Sequence, residues 1–481
     1  MNFAIVRYLI GWMLGIESIF LLLPALPAVI YGEPELPAYL IAAAISLAGA
    51  ALLCHRKPKN TRFYAREGYV TVALCWLILA VIGALPFVLS REIPFFIDAL
   101  FETVSGFTTT GATILGDVEA LSHASMLWRC LTHWVGGMGV LVFMLIVLPL
   151  AGGQTIFLMR AESPGPSVSK MSPRMRDTAT ILYAIYFGLT VLQMILLLIG
   201  GMPLFDAICV SLGTAGTGGF GNWNDSIAHY NSAYLQNVIT VFMILFGINF
   251  SAYFLILTRK FRQAFRIEEI RVYLGVIFVF AGLIAFNVRP MFGSLRESFH
   301  HALFQVASII TTTGFSTVDF DQWPTFSRAL LVLLMFIGAC AGSTGGGMKC
   351  SRILLLGKSV KKELMCLIHP RLVRVNKMDG QRVPHEVMRS INVFVVAYAF
   401  IFILSLLIIS LNCEDLVTCF TSVATTLNNV GPGLSLCGPT CNFGFFPPLS
   451  KGVLIFDMLA GRLELFPMLL LFTPGTWQRN K

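Results

Sequence analysis

The sequence predicts an all-α polytopic membrane protein. Four like-oriented repeats of helix, pore helix, loop and helix surround one pore, and two further N-terminal transmembrane helices precede them. Three observations predict this: ten long apolar stretches, a one-sided skew of basic residues, and a fourfold recurrence of short apolar segments that end at glycine.

Hydrophobic residues make up 56% of the 481 and charged residues 12%, against ~25% charged in a typical soluble domain. Mean hydropathy is +0.77. A bilayer core of about 30 Å needs about 20 apolar residues per helix. Suitable stretches lie near residues 3–30, 37–54, 69–90, 125–150, 178–200, 233–258, 269–288, 327–348, 391–411 and 450–473. The first has only Arg7 before its apolar core and no small-residue cleavage site, so it reads as a retained helix, not a signal peptide.

The net charge of +9 does not point to nucleic acid. Its distribution follows the rule by which short cytoplasmic loops collect Lys and Arg. With the N-terminus inside and ten alternating helices, the inside segments are Arg7 and residues 55–67, 159–177, 259–271, 349–389 and 474–481. They hold 27 of the 34 basic residues, and the outside segments hold six. Both termini are expected in the cytoplasm. The eleven cysteines include no CxxC, which argues against a zinc or iron–sulfur site. Cys437 and Cys441 share an expected outside loop; a disulfide and two free thiols are both open readings.

Four outside connections are too apolar for simple loops and too short to cross a bilayer: residues 96–113, 204–220, 299–317 and 416–433. The first and third align without gaps. Ala99-Leu100-Phe101 matches Ala302-Leu303-Phe304, and Thr108-Thr109-Thr110-Gly111 matches Thr311-Thr312-Thr313-Gly314. With Ser105 and Ser308, that gives 8 identities over 13 residues. Glycines 111, 218, 314 and 431 are taken as equivalent. Two membrane crossings separate each from the next, so the repeats share one orientation and suit an axis along the membrane normal. The expected units are 1–66 (the extra helices), 67–177, 178–268, 269–390 and 391–481 (repeats one to four).

Backbone that is neither helix nor sheet is tolerated at membrane depth only where protein or water satisfies it. A re-entrant loop that stops at glycine fits a cation selectivity filter, whose carbonyl oxygens replace the ion's hydration shell. The preceding pore helix turns the negative end of its dipole toward the cavity.

The motifs SGFTTTGAT (105–113), HWVGGMG (133–139), GTGGF (216–220), TTTGF (311–315), GACAGSTGGGMK (338–349), NNVGPG (428–433) and GRLELFPMLLLFTP (461–474) resemble those of the Trk/Ktr potassium uptake family. The superfamily includes the plant HKT transporters, and the two extra N-terminal helices are typical of the TrkH branch. The resemblance covers the whole chain. It implies that the bound and transported ion is potassium, with no organic cofactor in this chain. It implies filter carbonyls from Thr109, Thr110 and Gly111; Gly216, Thr217 and Gly218; Thr312, Thr313 and Gly314; and Asn429, Val430 and Gly431. Loop two departs from the T-T-T-G form, with Gly216 where relatives usually carry Ser. In the plant relatives a serine at the first filter glycine goes with sodium transport, so Gly111 favours potassium.

Gly342, Gly345, Gly346 and Gly347 weaken any helix by up to about 1 kcal/mol each. One reading of this stretch, through Lys349, is a helix end; the resemblance implies an intramembrane gating loop beneath the filter. Arg462 falls mid-span in the tenth stretch. An ion pair, with Asp457 or Glu464 as candidate partners, is one reading; the resemblance implies a charge that projects into the pore below the filter. It further implies a homodimer in the bacterial inner membrane, in contact with lipid. A cytosolic nucleotide-binding ring similar to TrkA is the implied regulator, because this chain has no nucleotide fingerprint. Rival readings are a sodium or mixed transporter of the same fold and an intramembrane enzyme. Against the enzyme, there is no HExxH, no GxSxG and no histidine pair at ligand spacing within a span.

Overall fold

The computed structural model describes residues 1–58, 64–147, 175–371 and 375–478. Most of the basic segment expected at 159–177 lies outside the described residues. Among the described residues the fold is helical, with one small hairpin, Lys377–Met378 against Gln381–Arg382. Its two-residue turn, Asp379-Gly380, has positive φ at both positions, as a type I′ turn requires.

Each of the ten apolar stretches contains helix where it is described. Among the described residues, six helical runs are long and apolar enough to cross a membrane: Phe3–Tyr31, Leu36–Cys54, Ala65–Ser90, Thr180–Ile199, Glu268–Met291 and His385–Ile409. Three other stretches are interrupted. Ala233–Phe246 and Phe250–Leu257 meet at 91°. The break sits where Asn249 caps the second helix through Ser251 N and where Phe250 N donates to the Gly342 carbonyl. Helix Thr325–Ile337 stops at Gly338, and the chain is non-helical to Lys349 before helix Cys350–Ile368 begins. The tenth stretch divides into Pro448–Arg462 and Phe466–Leu471. Arg462 therefore ends a helix and is not mid-span, because Glu464 and Leu465 take successive positive φ values of 56° and 66°.

Four short helices re-enter between the spans: Phe96–Phe107, Leu204–Gly216, Leu295–Ile310 and Leu416–Leu427. Each has an acid at its N-cap or in its first turn: Asp98, Asp206, Glu297 and Asp415. An acid there complements the positive end of the helix dipole. Ser294 accepts from Glu297 N and Asp415 from Val417 N and Thr418 N. Asp98 takes Lys451 Nζ at 2.6 Å, and Asp206 takes Tyr230 Oη at 2.7 Å. The opposite, C-terminal ends are buried among one another.

Candidate functional site

All four short helices end in the same backbone path. Thr109, Thr217, Thr312 and Asn429 take φ values of 54°, 55°, 58° and 55°. The next residue in each loop donates its N–H to the carbonyl five positions back: Thr110 to Ser105 (2.9 Å), Gly218 to Gly213 (2.9 Å), Thr313 to Ser308 (2.8 Å) and Val430 to Thr425 (2.8 Å). This is the hydrogen bonding of a helix C-cap in which the left-handed residue is normally glycine. Threonine pays about 1–2 kcal/mol there, and strain of that kind clusters at functional sites. Two residues after each left-handed position stands a glycine with φ of 78–96°: Gly111, Gly219, Gly314 and Gly431.

The register of loop two is therefore one residue beyond the sequence-based assignment. Thr217-Gly218-Gly219, not Gly216-Thr217-Gly218, matches Thr109-Thr110-Gly111. Gly216 ends the helix. The second loop carries glycine on both sides of Thr217, and its sequence alone does not say which one turns.

The loops close into a ring. A Cβ added at Gly111 would collide with the Gly218 carbonyl oxygen, and one at Gly219 with that of Thr313. A Cβ at Gly314 would lie 2.5 Å from the Val430 carbonyl oxygen, and one at Gly431 2.7 Å from that of Thr110. Each loop thus packs its glycine against a carbonyl of the next, in chain order, and the fourth meets the first. The same four glycines border one shared vestibule.

Below the ring lies the 338–349 loop. Gly346 N donates to Thr312 Oγ1 at 2.6 Å. A Cβ at Gly345 would lie 2.8 Å from the Thr311 carbonyl oxygen, and one at Gly346 2.5 Å from that of Asn428. Glycine lets this loop press against two of the helix ends. Glu269 holds both of its limbs, accepting from Ala341 N (2.7 Å) and Ser351 N (3.0 Å). Gly342 accepts from Phe250 N. Gly347 turns at φ 75°. Lys349 is buried and donates to the Gly345 carbonyl within the loop.

Arg462 spans from this loop to the neighbouring helix, donating to the Thr344 and Gly136 carbonyls at 2.7 Å each. Its two candidate acids are engaged elsewhere: Asp457 accepts from Ser405 Oγ at 2.7 Å, and Glu464 pairs with Arg352. Sequence reasoning missed Glu269, whose only signal was an acid at the start of an apolar span. It missed the Glu102–Arg129 ion pair as well, whose partners are 27 residues apart. Cys437 and Cys441 are free thiols. His133 stacks on Phe220 at 4.1 Å, and no metal-binding cluster occurs among the described residues.

The TrkH family, described as "Cation transport protein", matches residues 37–478. The chain is 38% identical to the Trk system potassium uptake protein TrkH of Salmonella typhimurium, over 99% of this chain and 100% of that one. It is 33% identical to the Trk system potassium uptake protein TrkG of Escherichia coli, over 98% of each. The crystal structure of the potassium transporter TrkH from Vibrio parahaemolyticus matches with a TM-score of 0.90 at 33% identity, covering 99% of this chain and 100% of that one. These relatives are named as transport proteins, not enzymes.

Proposed function

We propose that this chain, which belongs to the TrkH family of cation transport proteins, takes up potassium through the constriction at which its four loops meet. It is an integral membrane protein. The observation that carries the proposal is the closed ring of glycine-to-carbonyl contacts among loops that share one backbone path. Carbonyls so arranged replace a cation's hydration shell.

The filter comprises Thr109, Thr110, Gly111, Thr217, Gly218, Gly219, Thr312, Thr313, Gly314, Asn429, Val430 and Gly431. Potassium is the cargo, and this chain needs no organic cofactor. The 338–349 loop, with Gly342, Gly345, Gly346, Gly347 and Lys349, is the gate, and Arg462 is its tether. Support comes from the direct packing of that loop on Thr311, Thr312 and Asn428. The four repeats divide near residues 177, 268 and 390, after two N-terminal helices. The chain works in the bacterial inner membrane with both termini cytoplasmic. It works as a homodimer under a cytosolic nucleotide-binding ring similar to TrkA.

The test is cation flux into proteoliposomes holding the purified protein, with K⁺ and Na⁺ in competition. Uptake that prefers K⁺ is expected. Equal or greater Na⁺ uptake would replace this reading with a sodium or mixed transporter of the same fold, and absence of flux would sink both.

A further inference from the structure

We propose that the buried Glu102–Arg129 ion pair is a positioning device for ion selectivity. It holds the return limb of the first loop and ties it to that of the second. The proposal rests on the reading of the four loops as a cation filter.

Glu102 lies in the first pore helix and is 1% exposed; Arg129, on the next helix, is 2% exposed. Arg129 Nε donates to Glu102 Oε1 at 2.8 Å. The same carboxylate accepts from Thr113 Oγ1 at 3.0 Å and from Ile114 N at 3.0 Å. Those residues follow Gly111 by two and three positions, so the acid fixes the chain as it leaves the constriction. On its other side the guanidinium stands 4.1 Å from the centre of the Phe220 ring, and its Nη1 lies 3.5 Å from the Gly221 carbonyl oxygen. Phe220 directly follows Gly219, and its own N–H reaches His133 Nδ1 at 3.4 Å. One ion pair thus joins the outgoing limbs of two adjacent loops.

Among the described residues, no ion pair holds the outgoing limb on its pore helix in the other repeats. In the second, Asp206 of the pore helix accepts from Asn222 Nδ2 at 2.7 Å and from Trp223 Nε1 at 3.2 Å. In the third, Ser308 Oγ donates to the Phe315 carbonyl at 2.6 Å. Gln305 stands where Glu102 stands in the first, and neither atom of its amide has a hydrogen-bond partner. In the fourth, Leu434 N and Leu436 N donate to Thr421 and Thr418 hydroxyls at 3.1 and 3.3 Å. In the first, Ser105, the counterpart of Ser308, has an unpartnered hydroxyl, and the carboxylate has taken over its task. Burying two charges is costly, and an apolar pair of similar size often stabilises a fold as well. A charged pair kept here therefore serves geometry: charge-assisted hydrogen bonds are shorter and stiffer than neutral ones.

The test compares wild type with Glu102→Gln and with Glu102→Gln/Arg129→Gln. The readouts are the K⁺/Na⁺ permeability ratio from reversal potentials, measured at low and high salt, and the thermal midpoint. The double variant removes both charges, so it separates loop geometry from the field of an unpaired Arg129 beside the vestibule. Its ratio should fall about tenfold, as loss of a charge-assisted hydrogen bond implies, at both salt concentrations. Glu102→Gln keeps Arg129 and its contacts to the Phe220 ring and the Gly221 carbonyl on the second loop, so its ratio should fall less. An unchanged ratio in a double variant that melts like wild type would overturn the proposal. Should the double variant not fold, an unchanged ratio in Glu102→Gln would do the same. A wild type without K⁺ preference would count against the filter reading itself, a separate result.

Discussion

The Arg462 guanidinium and the Thr344 carbonyl oxygen are 2.7 Å apart, and the same guanidinium reaches Gly136 at an equal distance. The arginine thus ties the 338–349 loop to the helix that passes behind loops one and two. A hydrogen bond from a charged donor contributes about 1.5–3 kcal/mol. Arg462→Ala should therefore raise K⁺ flux by roughly tenfold if loop release limits opening. The variant also removes a positive charge below the constriction, which acts in the same direction. Arg462→Lys separates the two, because lysine keeps the charge but lacks the planar fork. Flux near wild type in the lysine variant assigns the effect to charge; flux near that of alanine assigns it to the tether. Loss of thermal stability with unit flux unchanged in Arg462→Ala would return the residue to a packing role.

Thr312 joins the third loop and the 338–349 loop in one residue. Its backbone belongs to the third loop, and its hydroxyl accepts the Gly346 N–H at 2.6 Å. Thr312→Val keeps the shape and the β-branch but removes the acceptor. The left-handed backbone strain is unchanged, so the variant isolates the contact. Loss of about 1 kcal/mol of hydrogen bonding should raise open probability about fivefold in single-channel records. Shortening Gly345–Gly347 should raise it further. Lower flux from both, with the pore otherwise intact, would favour a plain helix end over a gate.

Asp415 predicts where pH does not act. Its carboxylate caps the fourth pore helix, accepting from Thr418 Oγ1 at 2.5 Å and from Thr418 N and Val417 N. These bonds, the Thr418 hydroxyl first and Ser435 next, hold its pKa down to about 2. A folded value below the unfolded one, about 3.9, means that its stabilisation is complete above pH ~4 and fades as pH falls toward 2. The difference in thermal midpoint between wild type and Asp415→Asn should be flat from about pH 5 to 8 and shrink only under stronger acid. A difference that varies across the neutral range would show that another group controls this helix end.

The spans and the re-entrant helices were legible because hydropathy and the Thr-Thr-Thr-Gly repeat report burial and a tight turn directly. The breaks were less so. The bend at Gly247–Asn249 depends on the Gly342 carbonyl, 92 residues away, which accepts Phe250 N. No local pattern announces such a partner. Glycine normally marks a helix C-terminus, yet Glu464 and Leu465 turn the chain after Arg462. The acid of the Glu464–Arg352 pair was visible, but its partner lies 112 residues off. The interruption at 338–349 was legible for the opposite reason: four glycines in an apolar span weaken a helix, and the chain is non-helical there, while its role as a gate is a proposal.

The register of loop two yields the sharpest test, because Gly218 and Gly219 differ by one position and meet different obstacles. A Cβ at Gly218 would strike the His133 imidazole, a side chain. A Cβ at Gly219 would strike the Thr313 carbonyl, which is backbone of the neighbouring loop, at a φ of 78° that side chains rarely adopt. A side-chain obstacle can be removed and a backbone one cannot. Gly218→Ala should reduce K⁺ selectivity, and His133→Ala in the same chain should recover part of it. Gly219→Ala should lower the K⁺/Na⁺ permeability ratio at least tenfold, since the strain alone costs about 1 kcal/mol or more before any overlap. His133→Ala should leave that loss in place. Gly111→Ser should behave like Gly219→Ala, because its Cβ meets the Gly218 carbonyl in the same way. If instead Gly219→Ala kept its selectivity while Gly218→Ala resisted rescue, Gly218 would be the counterpart of Gly111, and the ring would have to close through Thr217.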